Sequence, residues 1–121
     1  MSYILVVDDN EHIRTVVRRI LEREGHTVIE IMDSEQVPDM IKTNNFDLII
    51  TDILMPGKEG ISTIMELRKE YPELKIIAIS GGGSYEPYGY LDMAKRVGAN
   101  RTIPKPFNRQ ELLDVVNDVL L

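Results

Sequence analysis

Residues 3–9 read Tyr-Ile-Leu-Val-Val-Asp-Asp, an apolar run that leads directly into two carboxylates. Three further apolar runs also end in a polar or charged residue: Leu48-Ile-Ile-Thr51 before Asp52, Ile76-Ile-Ala-Ile79 before Ser80, and Thr102-Ile103 before Lys105-Pro106. Short runs of this kind are typical of strands in a parallel sheet that is covered on both faces. Because open α/β sheets place their sites at the carboxyl ends of the strands, these polar groups are predicted to converge at one edge.

The wider pattern alternates strands with helices. Five segments have the length and β-branched composition of strands: 3–7, 27–31, 47–51, 75–80 and 101–103. Three of the intervening stretches carry apolar residues at helical spacing, the first of them ending near Gly25 and the last beginning with a capping box of Asn108 and Glu111.

Two further helices are predicted from weaker patterns. Residues 34–43 contain Pro38, which falls late for the first turn of a helix that begins at Ser34. Residues 87–97 contain Gly89 near their start and precede Gly98, a plausible glycine at the helix C-terminus. Five βα units in succession predict an α/β fold, a parallel sheet with right-handed crossovers and helices on both faces. An all-helical or α+β fold would leave the five evenly spaced apolar runs unexplained.

Length and composition limit the possible functions. The chain has 121 residues and shows no repeat, low-complexity tract or linker, so residues 1–121 are expected to form one domain. Its net charge of −6 argues against broad binding to nucleic acid or anionic membranes and fits a divalent cation or a basic partner. It contains no cysteine, and no apolar segment approaches membrane-spanning length. A cytoplasmic protein is expected.

The residues at the strand ends suggest metal-assisted chemistry on an anion. Asp8, Asp9 and Asp52 would repel one another if grouped, and a hard cation such as Mg²⁺ relieves that repulsion while taking only one or two carboxylates. A remaining aspartate oxygen can attack phosphorus and form an acyl phosphate. Lys105 can then neutralise phosphoryl oxygens, and Ser80 can donate a hydrogen bond to them.

These residues stand in an order that resembles a known family, the receiver domain of two-component response regulators. The resemblance runs from the first residue to the last. Its motifs are Val6-Val7-Asp8-Asp9-Asn10-Glu11, then Asp52-Ile53-Leu54-Met55-Pro56 with Gly60, then Ser80, then Gly98-Ala99 before Pro104-Lys105-Pro106-Phe107. Each motif alone is weak, but four in this order and spacing are specific.

The resemblance implies a role for each residue. Asp52 would be the phosphoacceptor, taking a phosphoryl group from a phosphohistidine on a histidine kinase or phosphotransfer protein. Asp9, Asp52 and the backbone carbonyl of Leu54 would ligate Mg²⁺, with Asp8 acting through a bound water. Lys105 would hold a phosphoryl oxygen and precede a cis proline, and Ser80 would move toward the phosphoryl group.

The implied fold is flavodoxin-like, with five parallel strands in the order 2-1-3-4-5 and five helices on both faces. The downstream target is not named by the sequence, and a phosphorylation-dependent homodimer is left open. Direct nucleic-acid binding is not expected of these residues, nor is membrane association. The domain would catalyse its own phosphorylation and dephosphorylation without turning over an external substrate.

Three positions depart from the common family pattern. Thr102 stands where many receivers carry an aromatic residue that changes rotamer. Leu54, two residues after the proposed phosphoacceptor, is bulky and apolar, and slow self-dephosphorylation is predicted because it would hinder an attacking water. The loop at residues 81–90 is a few residues longer than usual. Switching is therefore predicted to depend mainly on movement of residues 80–90.

Other interpretations of the same residues stay open at this stage. Asp8 and Asp9 could be ordinary residues of the turn before a helix that Asn10 caps. Ser80 could likewise be an ordinary turn residue. The arginines of the first helix are interpreted as a solvated face, with kinase docking as a minor alternative, and both histidines as structural or surface residues. An aspartyl phosphatase would need an acid at position 54, and a flavodoxin would need a hydroxyl-rich loop after the first strand.

Overall fold

The chain alternates strands and helices along its length. The computed structural model describes residues 1–53, 60–80 and 87–121, with the backbone alone for residues 87–91. The strands are β1 (Tyr3–Val7), β2 (Thr27–Ile31), β3 (Leu48–Asp52), β4 (Lys75–Ser80) and β5 (Arg101–Pro104). The α-helices are α1 (Glu11–Arg23), α2 (Val37–Thr43), α3 (Gly60–Glu70), α4 (Pro87–Val97) and α5 (Arg109–Leu120).

The strands form one parallel sheet in the order β2-β1-β3-β4-β5. This confirms the predicted α/β fold and its strand order. The order reverses between β1 and β3, and a crevice at such a switch point is where open α/β sheets bind ligands. None of the helices in the described ranges is long and apolar enough to cross a membrane.

Alternate residues of each central strand point to opposite faces of the sheet, so each strand contributes to two cores. On β1, Ile4 and Val6 pack with α1 and α5, whereas Leu5 and Val7 pack with α2, α3 and α4. All four are at most 1% exposed. Burial on both faces explains why the strand sequences are almost continuously apolar.

The helix starts follow from local capping. Asn10 caps α1 by accepting a hydrogen bond from the Ile13 amide, and Asn108 and Glu111 form the predicted capping box of α5. The predicted helix 34–43 begins later than expected. A single 3₁₀ turn occupies Ser34–Gln36, and α2 starts at Val37 with Pro38 in its first turn, where proline needs no donor and fits the helical φ.

Other boundaries differ from prediction by one residue or not at all. Strand β3 is shifted by one position relative to the predicted 47–51, so Asp52 is its last residue, and β5 extends one residue further, to Pro104. Helix α4 has the predicted bounds. Gly25 and Gly98 follow α1 and α4 with positive φ angles of 92° and 138°, the conformation that favours glycine after a helix.

Candidate functional site

The register of the sheet brings the predicted polar residues to one edge. Val7 of β1 lies beside Thr51 of β3, so Asp8 and Asp52, each one position further on, follow neighbouring strands in step. Ser80 ends β4 beside Pro104, the residue before Lys105. The convergence predicted from the sequence is therefore a consequence of parallel pairing in this register.

Lys105 lies between two of the aspartates. Its Nζ donates to Asp8 Oδ2 at 2.9 Å and to Asp52 Oδ2 at 3.1 Å. The Asp8 and Asp52 side chains are 1% and 5% exposed, and that of Lys105 is 15% exposed. Two buried carboxylates thus share one ammonium group, which is consistent with the rule that buried charges are paired.

The surroundings of Lys105 change the pKa of its ammonium group. Burial acts to lower the Lys105 pKa, but the hydrogen bond to Asp8 and the charges of Asp52 and Asp8 act in the opposite direction and outweigh it. The net result is a Lys105 pKa above its ordinary value. Lys105 therefore stays positively charged throughout the physiological pH range.

Asp8 is fixed at all of its polar groups. Its amide donates to Ile31 O at 3.2 Å, and its Oδ1 accepts from the Asn10 amide at 2.9 Å. Its backbone carbonyl accepts from Arg14 Nη1 at 2.6 Å. With Lys105 on Oδ2, this buried aspartate has little freedom to move, and Asn10 serves both the turn and the start of α1.

Asp9 completes a group of three carboxylates. One oxygen from each of Asp8, Asp9 and Asp52 lies within 4.8 Å of the others, and Asp9 is solvent-exposed whereas the other two are buried. Oxygen-only donors at this spacing fit a hard divalent cation. The group could hold a metal ion, and the exposed Asp9 gives it a side open to solvent.

Ser80 is buried beside this cluster, at the end of β4. The residue is 0% exposed, and its Oγ has no hydrogen-bond partner among the residues that the structure describes. Its backbone carbonyl accepts from the Lys105 amide at 2.8 Å, which ties the end of β4 to the residue after β5. The Lys105–Pro106 peptide bond is cis, as predicted.

Gly60, a motif residue at the start of α3, touches the backbone that carries Asp52. A Cβ atom added to Gly60 would lie 2.4 Å from Ile53 Cα and 2.9 Å from Asp52 O. Contacts this short between a Cβ and backbone atoms cannot be accommodated without a shift. Glycine at position 60 therefore allows α3 to begin directly against the end of β3.

Some sequence predictions concern residues beyond this description. Leu54, whose carbonyl is a predicted metal ligand, lies outside the described residues. The same holds for residues 81–86 of the loop at residues 81–90 and for the side chains of residues 87–91. Thr102 is described: it lies on β5 beside Ala78 and is half-buried.

The interpretation of the arginines on α1 as a solvated face is wrong for two of them. Arg14 Nε lies 3.2 Å from Glu30 Oε1, and Arg18 Nε lies 2.6 Å from Glu30 Oε2. Arg19 and Arg23 instead line a surface groove of about 510 Å³ with Arg109. A charged Glu30 within the mostly apolar β2 run was the available signal for a partly buried ion pair.

Neither histidine belongs to a group of metal-ligating side chains among the residues that the structure describes. His26 Nδ1 accepts a hydrogen bond from the Ser2 amide at 3.1 Å, and His12 is exposed on α1. Partial burial, together with the positive charge of the N-terminus, lowers the pKa of His26 below its ordinary value. Both residues are therefore structural or surface residues, as predicted.

With this geometry established, comparison with known proteins identifies the class. The chain belongs to the response regulator receiver domain family, which matches residues 4–117. Domains of this family are the receiver domains of response regulators, which belong to two-component signalling. Neither the aspartyl phosphatase nor the flavodoxin alternative is supported by this membership.

Particular relatives extend the comparison. Transcriptional regulatory protein CpxR of Escherichia coli strain K12 is 33% identical over 120 residues, which cover 99% of this chain and 50% of that protein. CpxR of Klebsiella pneumoniae is 32% identical over the same length. The chain thus spans about half the length of the curated relatives it matches.

Solved structures share the flavodoxin-like fold. The receiver domain of NtrX from Brucella abortus has a TM-score of 0.89 and is 34% identical, with 97% of each chain covered. The chemotaxis response regulator CheY4 of Vibrio cholerae has a TM-score of 0.87 and is 30% identical, with 99% of each chain covered.

Proposed function

We propose that this chain is a phosphorylatable receiver domain in which Asp52 accepts a phosphoryl group from a phosphohistidine on a histidine kinase or phosphotransfer protein. The observation that carries the proposal is the sharing of Lys105 between Asp52 and Asp8 beside Asp9. Residues 1–121 are proposed to form one such domain. Its cytoplasmic location stays a prediction.

The phosphoryl transfer starts at a carboxylate oxygen of Asp52. That oxygen attacks phosphorus and forms a P–O bond, while the P–N bond to the donor imidazole breaks and its electron pair returns to nitrogen. Asp52 is suited to this role because it is the last residue of a rigid buried strand. A nucleophile on such an element is held in one orientation, which lowers the entropic part of the barrier.

Lys105 supports the transfer by neutralising charge. In the described state it contacts Asp52 Oδ2. After transfer, the same ammonium group is placed to contact a phosphoryl oxygen, since it already lies within hydrogen-bond distance of the carboxylate that would carry it. Lys105 is therefore proposed to change partner without leaving the site, as a fixed positive charge near the developing negative charge.

A divalent cation is the proposed cofactor. Three carboxylates and one ammonium leave two formal negative charges in the cluster, which a divalent cation balances. Mg²⁺ is favoured because the donors are all oxygens and because this ion is bound by few protein carboxylates, with substrate phosphates supplying other ligands. Asp9 and Asp52, with Asp8 behind them, would hold it, and it would supply charge neutralisation to the transferring phosphoryl group.

The consequence of phosphorylation is proposed to be a change in the surface presented to a downstream partner. Ser80 has a buried hydroxyl with no partner among the described residues, so it can donate to a phosphoryl oxygen without breaking an existing bond. A hydrogen bond to a charged group contributes about 1.5–3 kcal/mol. Ser80 is the last residue of β4, so its movement would extend into residues 80–90.

Labelling with a small phosphodonor tests the proposal. Wild-type protein is expected to incorporate phosphoryl groups with Mg²⁺ and not with EDTA, and Asp52→Asn is expected to lose the labelling. The matched control is Asp47→Asn, because Asp47 is exposed just before the other end of β3 and an asparagine oxygen can still accept from the Tyr3 amide. Equal labelling of wild type and Asp52→Asn would refute the assignment.

A further inference from the structure

We propose that Arg14 is a positioning residue for the cation site, acting through the backbone between Asp8 and Asp9; this inference depends on the proposed function, since it assumes that the three carboxylates bind a cation. Arg14 Nη1 donates to the Asp8 carbonyl at 2.6 Å. The Arg14 side chain is only 13% exposed. Its described hydrogen bonds go to the Asp8 backbone carbonyl and to the Glu30 carboxylate.

Arg14 can orient both aspartates because it contacts the backbone oxygen between them, the Asp8 carbonyl. The Asp8 carbonyl belongs to the peptide unit that joins Asp8 to Asp9, and that unit is planar. Fixing its oxygen therefore restricts the directions in which both aspartate side chains leave the backbone. The Asp8 amide, on the other side of the residue, is already fixed by Ile31 O of β2.

Arg14 is itself held by a second contact. Its Nε donates to Glu30 Oε1 at 3.2 Å, and Glu30 lies on β2 beside Val6, two residues before Asp8. The guanidinium group is a planar fork whose donors have fixed relative directions. One end of the fork is anchored on β2 while the other holds the Asp8–Asp9 peptide, so α1, β2 and the site form one connected unit.

Arg18 provides a matched control within the same chain. It also lies on α1 and pairs with Glu30, through Nε at 2.6 Å, but among the described residues its ion pairs are with Glu30 and Glu22 and it does not bond to Asp8. Replacing Arg18 removes a positive charge from the same network without releasing the peptide. A comparison of the two arginines therefore separates positioning from charge.

The two possible effects of Arg14, positioning of the ligands and charge repulsion, predict opposite changes in cation affinity when Arg14 is removed. If Arg14 acts only as a positive charge near the site, its removal raises the affinity for a cation, because a repulsive charge is lost. If Arg14 positions the ligands, its removal lowers the affinity. Removal of residues that orient metal ligands typically costs at least about tenfold in metal affinity.

The experiment is an NMR titration of the full chain with Mg²⁺, following amide shifts in wild type, Arg14→Met, Arg14→Lys and Arg18→Met. Arg14→Met is expected to bind Mg²⁺ about tenfold more weakly. Arg14→Lys, which keeps the charge but lacks the fork, is expected to be intermediate, and Arg18→Met is expected to match wild type. Thermal unfolding in EDTA establishes that each variant is folded.

The outcomes separate the two proposals. A wild-type protein that does not bind Mg²⁺ would refute the cation site itself. If wild type binds, then equal or tighter binding by Arg14→Met, or an equal loss in Arg18→Met, overturns the role of Arg14. Should Arg14→Met fail to fold, Arg14→Lys decides the question, and wild-type affinity in that variant overturns the inference.

Discussion

Lys105 and Asp8 are 97 residues apart in the sequence and are joined by an ion pair of 2.9 Å. This pair connects the segment after β5 with the end of β1, across β3 and β4. Asp52 shares the same ammonium group. Lys105 therefore links the outer strand β5 to the central strands and is also the counterion of both Asp8 and Asp52. Loss of Lys105 therefore affects stability as well as chemistry.

Replacing Lys105 by methionine is expected to destabilise the cation-free protein by about 2 kcal/mol, because Asp8 and Asp52 would keep buried charges without their partner. That value is below the range for fully buried pairs, since the Lys105 side chain is partly exposed. Urea unfolding in EDTA measures the change, with Lys42→Met on the exposed face of α2 as control. Saturating Mg²⁺ is expected to restore part of the loss. Unchanged stability in EDTA would contradict the prediction.

The raised pKa of Lys105 gives this stabilisation a defined pH dependence. The ordinary value is 10.5, and the folded-state value is higher. Below the ordinary pKa, lysine is charged in both the folded and the unfolded chain, so its contribution is fully present; it is lost as the pH rises through the folded-state pKa. The difference in unfolding free energy between wild type and Lys105→Met is expected to be constant from pH 7 to 9 and to shrink at higher pH. A difference that grows above the ordinary pKa would show that the sign is wrong.

The residues of the site were predictable because they follow strands, and these strands can be recognised in the sequence as short apolar runs. Parallel pairing then carries Asp8, Asp52, Ser80 and Lys105 to one edge, whatever the details of the helices. The Lys105 contacts depend on the same register. Motif order supplied the roles, which the strand pattern alone could not.

Two features of the structure were not predictable from the sequence pattern: the start of α2 and the ion pairs of two arginines on α1. The start of α2 depends on a 3₁₀ turn that positions Pro38, and periodicity contains no signal for such a turn. Arg14 and Arg18 lie one turn apart on an amphipathic helix, so their spacing resembles that of a solvated face. The position of Glu30 on β2, beside β1, pairs both arginines with the sheet, and Arg14 also donates to the Asp8 carbonyl.

Substituting Gly60 tests whether the contact between α3 and β3 positions Asp52. Gly60→Ala is expected to cost about 1–3 kcal/mol of stability, since its Cβ would overlap the Ile53 backbone. It is also expected to weaken Mg²⁺ binding, because the shift reaches Asp52. Gly25→Ala is the control: it introduces strain of about 1 kcal/mol at a positive φ, without a contact to the site. Chemical denaturation measures the loss of stability, and Mg²⁺ titration measures the loss of affinity. A Gly60→Ala protein with wild-type Mg²⁺ affinity would show that the contact between α3 and β3 does not position Asp52.

His26 is expected to make stability sensitive to mild acid. Its folded-state pKa is lower than its ordinary value of 6.5, because burial and the nearby N-terminal charge disfavour the protonated ring. Stability is therefore fully present above pH 6.5 and falls as the pH drops toward the folded-state pKa, where the unfolded chain binds more protons. His26→Gln, which keeps an acceptor for the Ser2 amide, is expected to remove this part of the pH dependence, whereas His12→Gln on α1 is expected to retain it. Melting temperatures between pH 5 and 8 provide the measurement, and identical profiles for wild type and His26→Gln would contradict the prediction.

Ser80 and Thr51 form a matched pair of buried hydroxyls on neighbouring strands, each 0% exposed. Thr51 Oγ1 donates to Asp52 O at 3.1 Å, whereas Ser80 Oγ has no partner in the described part of the chain. Thr51→Val is therefore expected to cost about 1 kcal/mol, and Ser80→Ala to be neutral or slightly stabilising, because no hydrogen bond is lost.

The functional effect of Ser80→Ala is expected to be larger than its effect on stability. A phosphoryl analogue bound at Asp52 is expected to shift amide resonances across residues 80–90 in wild type, since the Ser80 hydroxyl gains a charged partner there. In Ser80→Ala the shifts are expected to remain near Asp52, although the analogue still binds. Thr51→Val, which leaves Ser80 intact, is expected to keep the extended response. If the wild-type shifts are themselves confined to residues near Asp52, or if Ser80→Ala responds like wild type, Ser80 does not transmit the signal into residues 80–90.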